Sequence, residues 1–406
     1  MTMSPPGSRA IRLPTLRTQV LDPSPELERL REHEPLHPLA FPDGHEGWLV
    51  TGHSLARAVL GDRRFSRRSE WNRLAADPSL ERGGRRWLFG RQAPLGFFLH
   101  MDPPEHTRYR RLLAGHFTVR RVQQLRPGLE RIVEKYLDAM EAAGPPVDLV
   151  TSFALPVPLE AICELLGVPD GARPAIHQCA ARFLNRRSTP QEASAAWGDL
   201  VGVIRELIQT KRTNQEDDLL SRLASSSGFS DDELAGVGAF LFNAGHLTTM
   251  NMFALGVFAL LCHREQFELL RCDPSLTASA VDEFVRYLSI FIFGVERVAV
   301  EDVELGSRII ERGTSVQVSL DAANRDPAAF DQPGALDVTR QARGHLGFSY
   351  GVHQCLGQHL ARLELQLGYG GLIRRFPNLD LAVPVSEVAL TDDDRAIGAH
   401  KLPIAW

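Results

Sequence analysis

The chain has 406 residues, 44% hydrophobic and 23% charged, with a net charge of −5. That composition suits a large globular core and excludes a disordered, fibrous or strongly basic nucleic-acid-binding protein. Five cysteines (Cys163, Cys179, Cys262, Cys272 and Cys355) form no framework, and the opening MTMSPPGSRAIRLPTLRT has no apolar run, so a reducing, cytoplasmic setting is expected.

Pro5, Pro6, Pro14, Pro23 and Pro25 predict an extended lead-in over residues 1–35, and one domain follows over 36–406. A strand at Gly47–Thr51 precedes a short helix at Ser54–Leu60. The polar and aromatic stretch from Phe65 to Phe98 reads either as a solvated loop or as the cover of a pocket. In MDPPEHTRYRRLLAGHFTVRRV, Pro103 and Pro104 end one helix and open the next. His106 and Arg110 are i, i+4 neighbours there; the pair is either a solvated basic face or a seat for an anion. Helices are predicted at Arg126–Ala143, Phe153–Leu166, Pro174–Arg187 and Gln191–Arg212, with the polar turn RRSTP between the last two.

Ser230 and Glu233 make a capping box at the start of about thirty residues that are apolar on every face, ~45 Å of helix at 1.5 Å per residue. Length and composition allow a transmembrane span. Asn243, His246, Thr248, Thr249 and Asn251 in its middle argue instead for a helix buried through a large domain. Ala244 and Gly245 leave space beside it, and the Thr248 hydroxyl can bond the Ala244 carbonyl one turn back. In DEFVRYL, Glu283 and Arg286 form an i, i+3 ion pair. The run GVERVAVEDVELGSRIIERGTSVQVSL alternates like a small antiparallel sheet and carries Arg297. Asn324–Pro333 reads as an irregular loop, and the tail after Asn378 as strands around a turn at Thr391–Gly398.

The most informative stretch is HLGFSYGVHQCLGQHLARLELQ, His345–Gln366. Gly347 and Gly351 break regular structure before Cys355; Leu356, Leu360, Leu363 and Leu367 then recur at helical spacing. Cys355 therefore sits at a helix entrance, where unpaired N–H groups favour a thiolate. Gly357 leaves room for something flat against the backbone, and Phe348 is placed to shield the sulfur. By itself the residue reads better as a buried structural cysteine beside a helix cap.

Phe348, Gly351, Cys355 and Gly357 spell F-x-x-G-x-x-x-C-x-G, which closely resembles the haem-binding signature of the cytochrome P450 family. Three further blocks match in order. D-P-P-x-H-x-x-x-R holds His106 and Arg110, AGHLTT resembles the oxygen-binding motif, and Glu283 lies 72 residues (283 to 355) ahead of the cysteine, as the family's E-x-x-R pair does. The resemblance covers about Leu36 to Trp406. It implies a mainly α fold with a minor antiparallel sheet, enclosing one haem b with Cys355 as the iron's thiolate ligand. It also implies His106, Arg110, Arg297 and His353 as propionate partners, Phe348, Gly351 and Gly357 as cofactor-binding positions, and Ala244, Gly245, His246 and Thr248 as the oxygen-activating segment. Two departures stand out. Leu247 occupies the position of the usual acid, and Ala335 that of an arginine, for which Arg340 is the candidate replacement.

The implied function is a soluble bacterial monooxygenase that inserts oxygen from O2 into a small organic substrate, a secondary-metabolite intermediate. Ferredoxin and ferredoxin reductase would supply NAD(P)H electrons, docking on Arg108, Arg111, Arg120 and Arg121; neither nucleic acid nor a membrane is an expected partner. Phe240, Phe242, Phe291 and Phe293 are candidate pocket walls for an apolar substrate. The alternatives are oxidative coupling, nitration or peroxide-driven oxidation at the same haem, or haem binding without turnover.

Overall fold

The computed structural model describes residues 10–19, 21–41, 44–68, 94–184, 189–391 and 396–406. Most of the loop expected over Phe65–Phe98 (69–93), most of the RRSTP turn (186–188) and residues 392–395 of the C-terminal turn lie outside the described residues. Helices α1 (Pro25–His33), α2 (His53–Gly61), α3 (Glu105–Ala114), α4 (Val119–Ala143), α5 (Pro156–Leu166), α6 (Arg173–Leu184) and α7 (Pro190–Thr213) lead into the second half. There, α8 (Leu219–Ala224), α9 (Asp231–Cys262), α10 (Arg264–Cys272), α11 (Thr277–Leu288), α12 (Leu320–Asn324) and α13 (Gln358–Arg375) complete the helical set. The strands are short: β1 (Leu36–Ala40), β2 (Glu46–Val50), β3 (Phe65–Ser66), β4 (Val147–Asp148), β5 (Val295–Ala299), β6 (Val303–Leu305), β7 (Arg308–Ile310), β8 (Ser315–Val318), β9 (Asp380–Leu381), β10 (Leu390–Thr391), β11 (Gly398–Ala399) and β12 (Pro403–Ala405). The chain is thus mainly α with minor sheets.

Two sequence expectations need correction here. The lead-in is not simply extended: Pro25 opens α1, where a proline's missing N–H costs nothing, and Leu27 and Leu30 pack on Leu39, Phe41, Leu49 and Ala322. The largest sheet, in the order β1-β2-β8-β5-β3, is mixed rather than antiparallel. β5 and β8 do pair antiparallel, but β8 also joins β2 in parallel, Trp48 opposite Val316. Alternation reveals a strand's faces, not its partner from another part of the chain.

Helix α9 is the axle. Ser230 accepts from the Glu233 N–H at 3.2 Å and Glu233 accepts from the Ser230 N–H at 2.8 Å, so the capping box is complete. Every residue from Leu234 to Phe242 and from Asn251 to Leu261 is buried, against α5, α7, α11 and α13. Small residues let α13 cross closely: a Cβ on Gly368 would lie 2.2 Å from the Phe253 ring. Tyr369 donates its hydroxyl to the Met252 carbonyl at 2.5 Å. The helix is long and apolar enough to cross a membrane, yet 72% of its most apolar window is buried inside the protein. Packing, not lipid, covers it.

Candidate functional site

The loop that carries Cys355 is wedged between α2 and α11. Gly351 has φ +73°, and a Cβ there would lie 2.4 Å from the Leu60 carbonyl; one on Gly347 would lie 2.5 Å from Val285 Cγ1. Only glycine fits either place. The Cys355 N–H donates to the Phe348 carbonyl at 2.8 Å, turning the loop back on itself. Helix α13 starts three residues later with Gly357 at its N-cap. Burial pushes the Cys355 thiol up; the N–H groups of Gly357 and Gln358 and the guanidinium groups of Arg110 and Arg362 oppose it. A Cβ on Gly357 would meet nothing within 4 Å, so that side of the helix entrance is open. Phe348 packs at 5.6 Å on His345 and lies beneath the Arg362 guanidinium at 4.5 Å.

Four cationic or potentially cationic groups converge beside this loop. Arg110 on α3 donates to the Gln354 carbonyl at 2.6 Å, next to the cysteine. His106, one turn earlier, brings its ring within 4.4 Å of His353. Arg297 enters from β5. His106, His353 and Arg297 are buried, and His106 Nδ1, His353 Nδ1 and Arg297 Nη2 have no hydrogen-bond partner among the described residues. Burial, then Arg110, pushes His106 down to about 4. Burial, then Arg297, Arg67, His106 and Arg110, pushes His353 down further. Buried polar groups are normally bonded, so these atoms suit a partner that the described residues do not supply. Arg67, beside β3, belongs to it too; the sequence reading missed it because it joins through the sheet, not through a motif.

These residues fit a haem. Its propionates would give the cluster anionic partners, and Gly357 leaves the helix entrance open to a flat ring. Among the described residues no group of three or more His, Cys, Asp or Glu side chains converges as a metal site. A metal at Cys355 must therefore bring its other ligands with it, as a porphyrin does.

The middle of α9 supplies a second face. Between its two sealed ends, Ala244 is exposed and Asn243, Gly245, Leu247, Thr248 and Met250 are partly open. The Thr248 hydroxyl donates to the Ala244 carbonyl and the Thr249 hydroxyl to the Gly245 carbonyl, both at 3.0 Å. His246 departs from the expectation that grouped it with these residues. It is buried; its Nδ1–H donates to the Phe242 carbonyl at 2.7 Å, and its ring packs on Phe242 at 5.1 Å. One residue is about 100° of helix, enough to turn it into the core. Phe242, a candidate wall, is likewise fully buried. Phe240 is buried too, its ring 4.6 Å from Phe97 and 4.9 Å from Phe98. Phe291 and Phe293 are partly buried.

A buried network holds the cysteine loop. Arg286 makes a bidentate pair with Glu283 at 2.7 Å on each side, both residues with no exposure. Its remaining donors reach the carbonyls of Asn324 (2.9 Å), Pro333 (2.8 Å) and Ala335 (3.2 Å). Arg340 closes on Glu283 Oε1 at 3.2 Å, supplying the third charge that Ala335 cannot. Asn324 passes the connection on: its Oδ1 accepts from the Leu346 N–H at 2.7 Å and its Nδ2 donates to the Ser289 hydroxyl at 2.8 Å. The sequence reading took this asparagine for irregular loop; it ends α12. Glu364 was also passed over, an acid between Leu363 and Leu365 on α13. It is buried, its Oε2 has no partner among the described residues, and burial pushes its carboxyl well above the usual carboxylate range.

The Cytochrome P450 family model matches residues 274–399. Cytochrome P450 105C1 of a Streptomyces species is 44% identical over 393 residues, 97% of each chain. Pentalenic acid synthase of Streptomyces avermitilis is 40% identical over 411 residues, all of both chains. Among solved structures, CYP105P1 in complex with filipin I superposes with a TM-score of 0.89 at 40% identity, covering 98% of this chain and 99% of that one.

Proposed function

The chain belongs to the cytochrome P450 family of haem monooxygenases, and from that premise we propose that Cys355 is its iron ligand and the Asn243–Thr248 face of α9 its oxygen and substrate side. The observation that carries this reading is the unpaired donor cluster of His106, His353 and Arg297 beside the cysteine loop. A haem bound there would supply O2 activation at iron. His106, Arg110, Arg297 and His353 would hold its propionates; Phe348 and the N–H groups of Gly357 and Gln358 would tune the sulfur. Similar proteins are named for making pentalenic acid or hold filipin I in complex, which supports a largely apolar secondary metabolite. The cytoplasm is the proposed compartment. The test is the thiolate-type Soret band of the reduced carbon monoxide complex, with NADPH-dependent oxygenation when surrogate ferredoxin and reductase are added. Failure to form that band refutes the reading.

Cleaving dioxygen consumes protons, and Leu247 can neither hold nor pass one. Thr248 Oγ1, held toward the Ala244 carbonyl, is the hydroxyl placed to position water for that supply. General acid–base groups are worth roughly 10²–10⁴-fold. Leu247→Glu should therefore raise product formed per NADPH on apolar substrates, and Thr248→Ala should increase peroxide release. Equal coupling in wild type and both variants means that this segment carries no proton traffic.

The electron donor docks on the cysteine side, but not on all four arginines first expected. Arg108 is held by Glu233 at 2.7 Å and lies over the Phe229 ring, and Arg121 is held by Asp217 at 2.8 Å. Arg111 and Arg120 are exposed and have no ion pair among the described residues. With Arg57 and Arg343, which line a concavity of about 260 Å³ beside Gln354 and Gln358 where Asp282 holds Arg362 at 2.7 Å, they are the basic groups we propose for an acidic ferredoxin. Charge reversal at Arg111 should slow reduction by ferredoxin, and salt should weaken it, because the Debye length falls from about 10 Å at 0.1 M to about 3 Å at 1 M. Substrate affinity should not change. Electron transfer insensitive to both salt and reversal rules the face out.

A further inference from the structure

The open face of α9 is apolar except at two places. One is Thr248, whose hydroxyl is engaged with the Ala244 carbonyl at 3.0 Å. The other is Asn243. Among the described residues its Oδ1, which is buried, has no hydrogen-bond partner and its amide nitrogen makes no hydrogen bond. Asparagine is a poor helix former, and mid-helix it ordinarily bonds back to its own helix or to a neighbour. Here it does neither. Its neighbours on the helix surface are Ala239, Phe240, His246 and Leu247; His246 is turned into the core and bonded to the Phe242 carbonyl. A carboxamide is thus set beside Phe240 and Leu247, one residue (~1.5 Å of rise and about 100° of helix) ahead of the Ala244–Thr248 column.

We propose that Asn243 is the specificity-determining contact of this enzyme, and that it takes a hydroxyl or ketone oxygen on an otherwise apolar substrate. The proposal rests on the monooxygenase reading, which makes this face of α9 the substrate side. A carboxamide can turn about its last torsion to present N–H or C=O, so it accepts either partner. Apolar walls bind many molecules of the right size; a single unpaired polar group in such a wall selects those that satisfy it, because others leave it buried and unbonded. Anchoring one oxygen beside Thr248 also fixes which carbon faces the reaction centre, so Asn243 governs regioselectivity as well as affinity.

The test uses the haem-loaded protein and three probes that differ in one group: cyclododecane, cyclododecanol and cyclododecanone. Binding is read from the substrate-induced Soret shift. Wild type should bind the alcohol and the ketone about tenfold more tightly than the hydrocarbon. Asn243→Leu should erase that preference while keeping or raising affinity for cyclododecane. It should also raise the melting temperature of the substrate-free protein, because it removes an unbonded buried amide; this readout shows that the variant is folded. A preference that survives in Asn243→Leu, or a wild type that does not favour the alcohol and ketone at all, overturns the proposal and leaves the amide to ordered water. A protein that never forms the thiolate-type carbon monoxide band fails earlier, on the monooxygenase reading itself.

Discussion

Exchange of Cys355 for alanine should abolish the thiolate-type Soret band of the reduced carbon monoxide complex and lower turnover by about 10³-fold or more, the scale expected when a group acting in every step is removed. The reason lies in how the sulfur is held. Its loop is locked by glycines at 347 and 351 and by the hydrogen bond from Cys355 to the Phe348 carbonyl, and the N–H groups of Gly357 and Gln358 favour its anion. No group of three or more His, Cys, Asp or Glu side chains converges among the described residues, so no protein metal site stands in for it. The donor cluster of His106, Arg110, Arg297 and His353 does not depend on the sulfur. Cys355→Ala should therefore still take up haem, with the spectrum of a non-thiolate haem protein. Retention of the thiolate-type band in Cys355→Ala would refute the assignment outright. Loss of haem uptake in a protein that still melts cooperatively would mean that the propionate cluster holds less than its unpaired donors suggest.

The second large effect lies away from the sulfur. Arg286→Ala should cost about 3–5 kcal/mol, because it leaves Glu283 charged, buried and half-paired. Arg286 also supports three carbonyls, one of them that of Asn324, whose side chain fixes the Leu346 N–H at the start of the cysteine loop. The variant should thus lose haem before it unfolds, seen as a Soret loss at lower urea than the loss of far-ultraviolet ellipticity. Arg286→Lys should rescue little, since an ammonium cannot reproduce the guanidinium fork. Arg340→Ala should cost less, because Arg340 makes one longer contact to Glu283 and is partly open to solvent. Equal urea midpoints for wild type and Arg286→Ala would show that the pair is not what holds the loop.

Much of this was legible in the sequence because it depends on neighbours along the chain. The cysteine at a helix entrance, the capping box at Ser230 and Glu233, the Glu283–Arg286 spacing and the apolar length of α9 are all local relations, and local sterics and hydrogen bonding enforce them. The reading of α9 as a core helix also came from composition, since polar residues at its centre would be penalised in lipid. What only the tertiary structure decided involves residues far apart. Arg340 reaches Glu283, β8 pairs with β2, Arg67 joins His353 and Arg297, and Asp217 and Glu233 take Arg121 and Arg108 away from the docking face. Helix rotation belongs to the same class. Periodicity shows that His246 and Thr248 differ in direction, but with apolar residues on every side of α9 it cannot say which direction is core and which is open. Packing settled that by sealing His246 against Phe242 and leaving Asn243, Ala244, Leu247 and Thr248 on the open side.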